Sequence, residues 1–118
     1  MPITRFHATG RMSQAVRYPL SGEAVVLAGQ VSSDPALDLA GQTANVLARI
    51  DALLAEAGTS KANMIQATIW LADIGGFAAM NAVWDGWCDA SCAPARACVE
   101  AKLADPRLLV EIQVVAVV

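Results

Sequence analysis

Charged residues are scarce in this sequence, and basic residues are the scarcer kind. Only 16% of the 118 residues are Asp, Glu, Lys or Arg, and eight Lys and Arg stand against eleven Asp and Glu, for a net charge of −3. The basic residues are scattered along the chain rather than clustered. Because a nucleic-acid site needs several Lys and Arg aligned with phosphates, the sequence predicts no nucleic-acid partner.

Long apolar runs are also absent, although 56% of the residues are hydrophobic. No run approaches the ~18 residues that a membrane-crossing helix requires, and the first residues show no basic-then-apolar leader pattern. We therefore expect no membrane partner and a cytoplasmic location. A surplus of apolar residues without a membrane predicts that some of them are buried in contacts between subunits.

Residues that could bind a metal are few. His7 is the single histidine, and the three cysteines are Cys88, Cys92 and Cys98. An odd number of cysteines argues against a disulfide framework. Cys88 and Cys92 are one helical turn apart, but a zinc site needs about four ligands and His7 is distant in sequence. We expect no metal, and three buried or interfacial free thiols.

The sequence does contain alternating strand-like and helix-like segments. Short mixed runs at 2–7 and 12–16 predict edge strands, and the continuous apolar run at 24–28 predicts a central strand. The other predicted elements are a helix at 39–57 ended by a left-handed Gly58, a strand at 64–71, a helix at 77–89, a strand at Arg96, a turn at Asp105 and Pro106, and a strand at 108–118. This order predicts one α+β domain, 1–118, with a mixed sheet and two helices packed on one of its faces.

The last strand carries apolar residues on both of its sides. Ile112 and Val114 lie on one side, and Val115 and Val117 lie on the other. Two helices can cover only one face of the sheet, and the sequence contains no further helix. The other face is therefore expected to be covered by further copies of the same chain.

The short Pro-containing connection before the last strand predicts that this strand pairs antiparallel with the Arg96 strand. With the turn at residues 105 and 106, five side chains would share one face of the hairpin, namely Arg96, Cys98, Glu100, Glu111 and Gln113. Arg96 and Glu111 would then be about 13 Å apart along the sheet. Either the Arg96 side chain reaches along the sheet, or the two groups meet across a boundary between subunits.

Arg96 is the first candidate for a functional residue. A guanidinium is always charged, and its planar donors match a carboxylate in a bidentate contact. At a strand entrance beside Pro94 and Ala95, Arg96 indicates a receptor for a small anion; the alternative is an ordinary surface arginine at a strand end. Cys98, two residues away, would lie in the positive field of Arg96, which favours the thiolate.

Glu111 is the second candidate. A carboxylate on a mostly apolar strand is costly to bury without a partner. Glu111 therefore either forms a structural ion pair with a Lys or Arg, or it positions a water molecule for a reaction. The sequence alone leaves these two interpretations open.

Several strings of the sequence, taken together, resemble one known family. They are LAGQV at 27–31, QTANVL at 42–47, IDALL at 50–54 with Gly58, ATIWLAD at 67–73, FAAMN at 77–81 with Trp84, PAR at 94–96 and VEI at 110–112. In this order, from about residue 24 to 118, they are similar to the RidA/YjgF family of reactive intermediate deaminases. With Arg11-Met12-Ser13, the chain looks closer to a YoaB-like side branch than to RidA proper.

This resemblance implies a fold, an assembly and an activity. The fold would be chorismate-mutase-like (bacillus type), assembled as a homotrimer with ligand clefts between subunits. The activity would be the hydrolysis of reactive 2-imino and 2-enamino acids, made by pyridoxal-phosphate enzymes, to 2-oxo acids and ammonia, with no cofactor of its own. Arg96 matches the arginine that holds the substrate carboxylate, and Glu111 matches the glutamate associated with the attacking water. Gly29, Gln30 and Cys98 match residues that border the cleft.

The chain also differs from the family pattern, and other functions compete. Ala28 stands where the family deaminases commonly have serine, and the N-terminal segment lacks the usual cleft tyrosine, since Tyr18 falls in the following turn. One alternative is a trimer that binds small carboxylates at Arg96 without catalysis. Another is a thiol-reactive scavenger that uses Cys98 or the cysteine pair. Release of ammonia from an imine separates the deaminase from both.

Overall fold

The computed structural model describes residues 2–118, and its elements follow the predicted order along the chain, with one additional short strand at 30–31 that was not predicted. They are β1 (Thr4–Phe6), β2 (Ala15–Arg17), β3 (Ala24–Val26), β4 (Gln30–Val31), α1 (Leu39–Glu56), β5 (Met64–Leu71), α2 (Phe77–Trp87), β6 (Ala95–Glu100) and β7 (Val110–Val117). The predicted helix at 39–57 and the predicted strand at 64–71 are confirmed. The strand predicted at 12–16 starts later, because Ser13 instead forms an isolated parallel bridge with Ala95.

Local capping explains the bounds of α1. The Asp38 side chain accepts a hydrogen bond from the Gly41 amide at 2.8 Å, which caps the first turn. At the other end, Gly58 adopts φ +86°, and the Thr59 amide donates to the Leu54 carbonyl at 2.9 Å. A left-handed residue with this backward hydrogen bond is a Schellman ending, so the prediction for Gly58 is confirmed.

Both helices pack on the same face of the sheet. The buried core consists of α1 residues Val46, Leu47, Ile50 and Leu54, α2 residues Met80 and Trp84, and alternate strand residues Ala67, Ile69, Leu71, Val110, Ile112 and Val114. Burying each large apolar side chain contributes about 1.5–3 kcal/mol. On the opposite face, Glu111, Gln113 and Val115 are only half-buried, so the prediction of one face left uncovered within the chain is confirmed.

The strand order corrects the predicted hairpin. The sheet runs β3-β7-β5-β6, with β4 also paired to β7. β5 is parallel to β6 and antiparallel to β7, so the Arg96 strand and the last strand do not pair. The reason is that β5, α2 and β6 form a crossover unit, and residues 101–109 then carry the chain past β5.

The register also corrects the predicted shared face. Arg96 lies beside Ala67, and Ala67 lies beside Val114, which places Arg96 on the face that the helices cover. Glu111 lies beside Trp70, on the opposite face. Arg96, Cys98 and Glu100 therefore point to one side of the sheet and Glu111 and Gln113 to the other, because side chains alternate along a strand.

The apolar run at 24–28 forms an edge strand rather than the predicted central one. Within the described residues, β3 pairs only with β7, at the sheet edge opposite β6. Leu27 is buried under the helices, whereas Val26 is 66% exposed. The run is apolar on both sides, but a single chain covers only one of them.

The N-terminal hairpin of β1 and β2 is held against the start of β6. The Arg5 guanidinium donates to three backbone carbonyls, those of Met64 at 2.9 Å, Ala93 at 2.8 Å and Ala62 at 3.0 Å. The Ser13 amide donates to the Pro94 carbonyl at 2.8 Å. These contacts place residues 9–12 over the end of α2 and the entrance of β6.

Candidate active site

Arg96 lies under α2 with part of its guanidinium unpaired. Its central carbon is 5.2 Å from the Trp84 ring and 6.0 Å from the Phe77 ring, which are cation–π contacts. Its Nη1 atom is buried and has no hydrogen-bond partner among residues 2–118. Burial lowers the pKa of Arg96, but the group stays charged. The alternative of an ordinary surface arginine is therefore wrong.

Arg96 forms one wall of a pocket of about 510 Å³. The pocket is lined by Thr9, Gly10, Arg11, Met12, Phe77, Asp85, Ala90 and Arg96. Trp84 lies behind the Arg96 guanidinium rather than in the pocket lining; it is fully buried, and its ring lies 5.3 Å from the Trp87 ring, with the two planes inclined by 56°. An arginine that forms no ion pair among residues 2–118 and borders a pocket of this size fits a small anionic ligand.

A second arginine in the pocket is neutralised by an ion pair. Arg11 donates from Nε and Nη2 to the two carboxylate oxygens of Asp85, at 2.8 and 2.6 Å. Hydrogen bonding to Arg11 lowers the pKa of Asp85. This pair was not predicted from the sequence, since its members are 74 residues apart. One signal was available, because Asp85 is the only charged residue in α2.

Asn81 is a second residue of α2 that was not predicted from the sequence as a site candidate. It is 2% exposed, and neither its amide nitrogen nor its amide oxygen has a hydrogen-bond partner among residues 2–118. It follows Phe77 by four residues and precedes Trp84 by three, so all three lie on one side of α2. An unpaired buried amide costs about 1–3 kcal/mol, which marks Asn81 as a candidate for contact with a ligand or a neighbouring subunit.

Glu111 and Gly29 form a second group, beside each other on β7 and the segment before β4. A Cβ atom built at Gly29 would overlap the Glu111 carboxylate, so the missing side chain leaves the room that this carboxylate occupies. Among residues 2–118, the Glu111 carboxylate takes part in neither of the two ion pairs, which are Arg11–Asp85 and Arg107–Asp105. The interpretation of Glu111 as half of a structural ion pair within the chain is therefore wrong.

Gln30 is next to this second group but uses its side chain locally. Its backbone pairs with Ile112, its side chain is largely buried, and its Nε2 donates to the Ala28 carbonyl at 3.1 Å. Ala28 itself is exposed. Gln30 thus fixes the backbone on which Gly29 lies.

Cys98 shares the helix-covered face with Arg96 and packs partly against the core. Burial raises the pKa of the Cys98 thiol, and Arg96 lowers it by a smaller amount. The expectation of a thiolate at Cys98 is therefore wrong, because desolvation outweighs the positive field. Burial also raises the pKa of Cys88 at the end of α2. Within residues 2–118, no three His, Cys, Asp or Glu side chains are grouped to hold a metal ion.

The predicted site residues therefore form two groups within one chain. Arg96 and Cys98 lie on β6 at one edge of the sheet, on the helix-covered face. Gly29 and Gln30 lie at the opposite edge, and Glu111 lies on β7, the strand with which β4 pairs. One strand, β5, separates the strands of Arg96 and Glu111, which is roughly 10 Å across the sheet at the usual strand spacing.

Comparison with known proteins identifies the family. A family model described as Endoribonuclease L-PSP matches residues 2–118. The chain belongs to this family. It is 42% identical over 118 residues to RutC family protein YoaB of Escherichia coli (strain K12), covering 100% of both chains. It is 40% identical to a RutC family protein of Haemophilus ducreyi, covering 98% of this chain and 97% of that one.

Solved structures agree with this assignment. A member of the YjgF protein family from Neisseria meningitidis superposes with a TM-score of 0.78 at 48% identity, covering 99% of this chain and 95% of that chain. The resemblance to the RidA/YjgF family and its YoaB-like branch is confirmed. Within residues 2–118, none of the helices has the length and apolar character needed to cross a bilayer.

Proposed function

We propose that this chain is a hydrolase that deaminates small 2-imino and 2-enamino acids to 2-oxo acids and ammonia, as a homotrimer of chorismate-mutase-like subunits. The observation that carries the proposal is the position of Arg96, which borders the pocket and whose buried Nη1 has no hydrogen-bond partner among residues 2–118. A carboxylate is the ligand that such a fork of donors binds best. Arg96 would therefore hold the substrate carboxylate.

The reaction needs little from the protein beyond orientation and one base. Water adds to the C2 carbon of the protonated imine while Glu111 accepts a proton from it, which forms a carbinolamine. Glu111 then returns this proton to the nitrogen, the C–N bond breaks to release ammonia, and the hydroxyl proton passes to this ammonia as the carbonyl forms. The products are a 2-oxo acid and ammonium. No electron is transferred, so the chemistry requires no redox cofactor.

The separation of the two groups of residues supports assembly into a ring. Arg96 and Glu111 cannot reach one substrate within a chain, because they lie on opposite faces and toward opposite edges of the sheet. Contact between the β6 edge of one copy and the β3 and β4 edge of the next would bring them together. Contacts of this head-to-tail kind close into rings, and the family implies a ring of three.

A complementation experiment tests the shared site. Arg96→Ala and Glu111→Gln are purified separately, then unfolded and refolded together. Each is expected to be inactive alone. In a mixed ring, the Glu111→Gln subunit can supply Arg96 and the neighbouring Arg96→Ala subunit can supply Glu111. Such an interface contains both native residues, so activity should return. The measurement is the rate of ammonia release from 2-iminopropanoate made in situ by an amino-acid oxidase, above the spontaneous rate.

Two outcomes contradict the proposal. Wild-type protein that does not accelerate ammonia release is not a deaminase under these conditions. If wild type is active but the mixed variants stay inactive, both residues act within one subunit. As a control, the Arg96→Ala protein is refolded with the double variant Arg96→Ala/Glu111→Gln, which offers no complete interface and should stay inactive.

The alternative is a trimer that binds small carboxylates and catalyses nothing. Ala28 favours it, because an alanine supplies no hydroxyl at a position where the family deaminases commonly have serine. This alternative predicts that 2-oxobutanoate binds with a dependence on Arg96, while ammonia release stays at the spontaneous rate. The absence of a nucleic-acid partner and the cytoplasmic location stay predictions.

A further inference from the structure

The Arg96 pocket contains a second guanidinium whose charge is cancelled locally. Arg11 and Asp85 both line the pocket, and the two form a bidentate pair with N–O distances of 2.8 and 2.6 Å. Their side chains are 37% and 43% exposed, so solvent and ligands reach them. Arg96 is thus left as the unneutralised charge of the pocket.

The charge balance selects among carboxylic acids. Two guanidiniums and one carboxylate give the pocket one net positive charge, which a monocarboxylate neutralises. A dicarboxylate brings a second negative charge to a place where Asp85 already occupies the fork of Arg11 and repels further anions. The other side chains around the pocket include Phe77, Met12 and Ala90, which suit a short apolar substituent.

We propose that Asp85 is a specificity-determining residue: by occupying Arg11 it restricts the pocket to acids with a single carboxylate and excludes dicarboxylates. This inference rests on the proposed function, because it takes Arg96 as the anchor for the first carboxylate. Without the charge of Asp85, Arg11 becomes a second carboxylate receptor in the same pocket. Discrimination by an element that repels the wrong ligand is a common device of specific sites.

The ion pair is not what holds Arg11 over the pocket. The Trp84 indole nitrogen donates to the Arg11 carbonyl at 2.9 Å. The Ser13 hydroxyl donates to the Ala93 carbonyl at 2.7 Å, and the Ser13 amide donates to the Pro94 carbonyl. These backbone contacts stay in place when the carboxylate at position 85 is replaced, so Asp85→Asn changes the charge of the pocket rather than its shape.

The test is calorimetric titration of 2-oxobutanoate and 2-oxoglutarate into folded variants. Wild type should bind 2-oxobutanoate at least tenfold more tightly than 2-oxoglutarate. Asp85→Asn should raise the affinity for 2-oxoglutarate relative to 2-oxobutanoate by at least about tenfold, the size of one charge-assisted hydrogen bond. Adding Arg11→Gln to Asp85→Asn should abolish that gain. Asp105→Asn is the matched control, because it changes the net charge by the same amount at the other ion pair. Its ratio of affinities for 2-oxoglutarate and 2-oxobutanoate should equal that of wild type.

Each outcome decides the inference. A wild type that binds both acids equally, or an Asp85→Asn protein with the melting curve of wild type and an unchanged ratio, overturns it. If Arg96-dependent binding and ammonia release are still observed alongside such a result, the role of Asp85 in specificity is refuted but the proposed function is not. If neither wild type nor Asp85→Asn binds either acid, the anchoring role of Arg96 falls with it.

Discussion

Arg96 and Glu111 lie on opposite faces of one sheet, with β5 between their strands. Arg96 is beside Ala67 of β5 on the helix-covered face, and Glu111 is beside Trp70 of β5 on the open face. A carboxylate bound to Arg96 is therefore screened by the sheet from the Glu111 of its own chain. Any chemistry that needs both groups needs two copies of the chain.

Replacing Arg96 should weaken anion binding without unfolding the protein. Arg96→Ala should bind 2-oxobutanoate at least tenfold less tightly, since a charge-assisted hydrogen bond contributes about 1.5–3 kcal/mol. Arg96→Lys should recover part of the loss, because lysine supplies the charge but not the planar fork. Calorimetry measures both. Arg107→Ala, which removes an exposed arginine paired to Asp105, serves as the control. Unchanged affinity for 2-oxobutanoate in folded Arg96→Ala would show that Arg96 does not hold the carboxylate.

Gly29→Ala should reduce turnover more than binding. The new methyl group would overlap the present position of the Glu111 carboxylate, which must then rotate away from the position that the proposed mechanism gives it. The rate of ammonia release at saturating imine should fall several-fold more than the affinity for 2-oxobutanoate. Equal turnover in Gly29→Ala and wild type would show that the position of Glu111 does not limit the reaction.

Cys98 should react slowly with alkylating agents at neutral pH. Because burial raises its pKa, the thiol stays protonated up to a higher pH than a free cysteine, whose pKa is about 8.5. Alkylation of the Cys98 peptide, followed by mass spectrometry over a pH series, should reach half its maximal rate above that value.

Arg96→Ala should move this midpoint further upward, since the positive charge of Arg96 lowers the pKa of Cys98. Arg107→Ala should leave it in place. A midpoint below that of a free thiol would contradict the raised pKa and restore the thiolate expectation.

Replacing two glycines by alanine should change the free energy of unfolding in opposite directions. Gly86 lies exposed inside α2, and a Cβ built there meets no other atom within 4 Å, so Gly86→Ala should stabilise the fold by about 0.5–1 kcal/mol. Gly58 has φ +86°, and Gly58→Ala should cost about 1–2 kcal/mol, because L side chains disfavour the left-handed region. Urea unfolding of both variants beside wild type measures the difference; a shift of the same sign in both would contradict it.

Local signals in the sequence predict α1 and β5 well. Helical spacing, the Asp38 cap and Gly58 are all contained within about twenty residues, and the β-branched run at 64–71 needs no partner to be recognised. These features depend on neighbours in the chain, so the sequence specifies them directly.

The prediction that β6 pairs with β7 failed because the sheet order depends on contacts between residues that are distant in the sequence. Residues 105 and 106 form a turn, but no pattern around them shows that β5 lies between the two strands. Face assignments depend on the register, so this one error put Arg96 and Glu111 on the same side. The Arg11–Asp85 pair, joined across 74 residues, was invisible for the same reason. The sequence could point to candidate residues, but their grouping in space required the topology.

The position of Trp84 beneath the Arg96 guanidinium gives the protein an intrinsic optical signal. An anion that neutralises a cation 5.2 Å from a buried indole changes the field on its excited state and therefore its emission. Trp87 packs against Trp84 at 5.3 Å and 56°, so we expect near-ultraviolet circular dichroism to report the same event. Trp70 lies on the opposite face beside Glu111, so quenching by a soluble agent separates events in the pocket from events on the open face of the sheet.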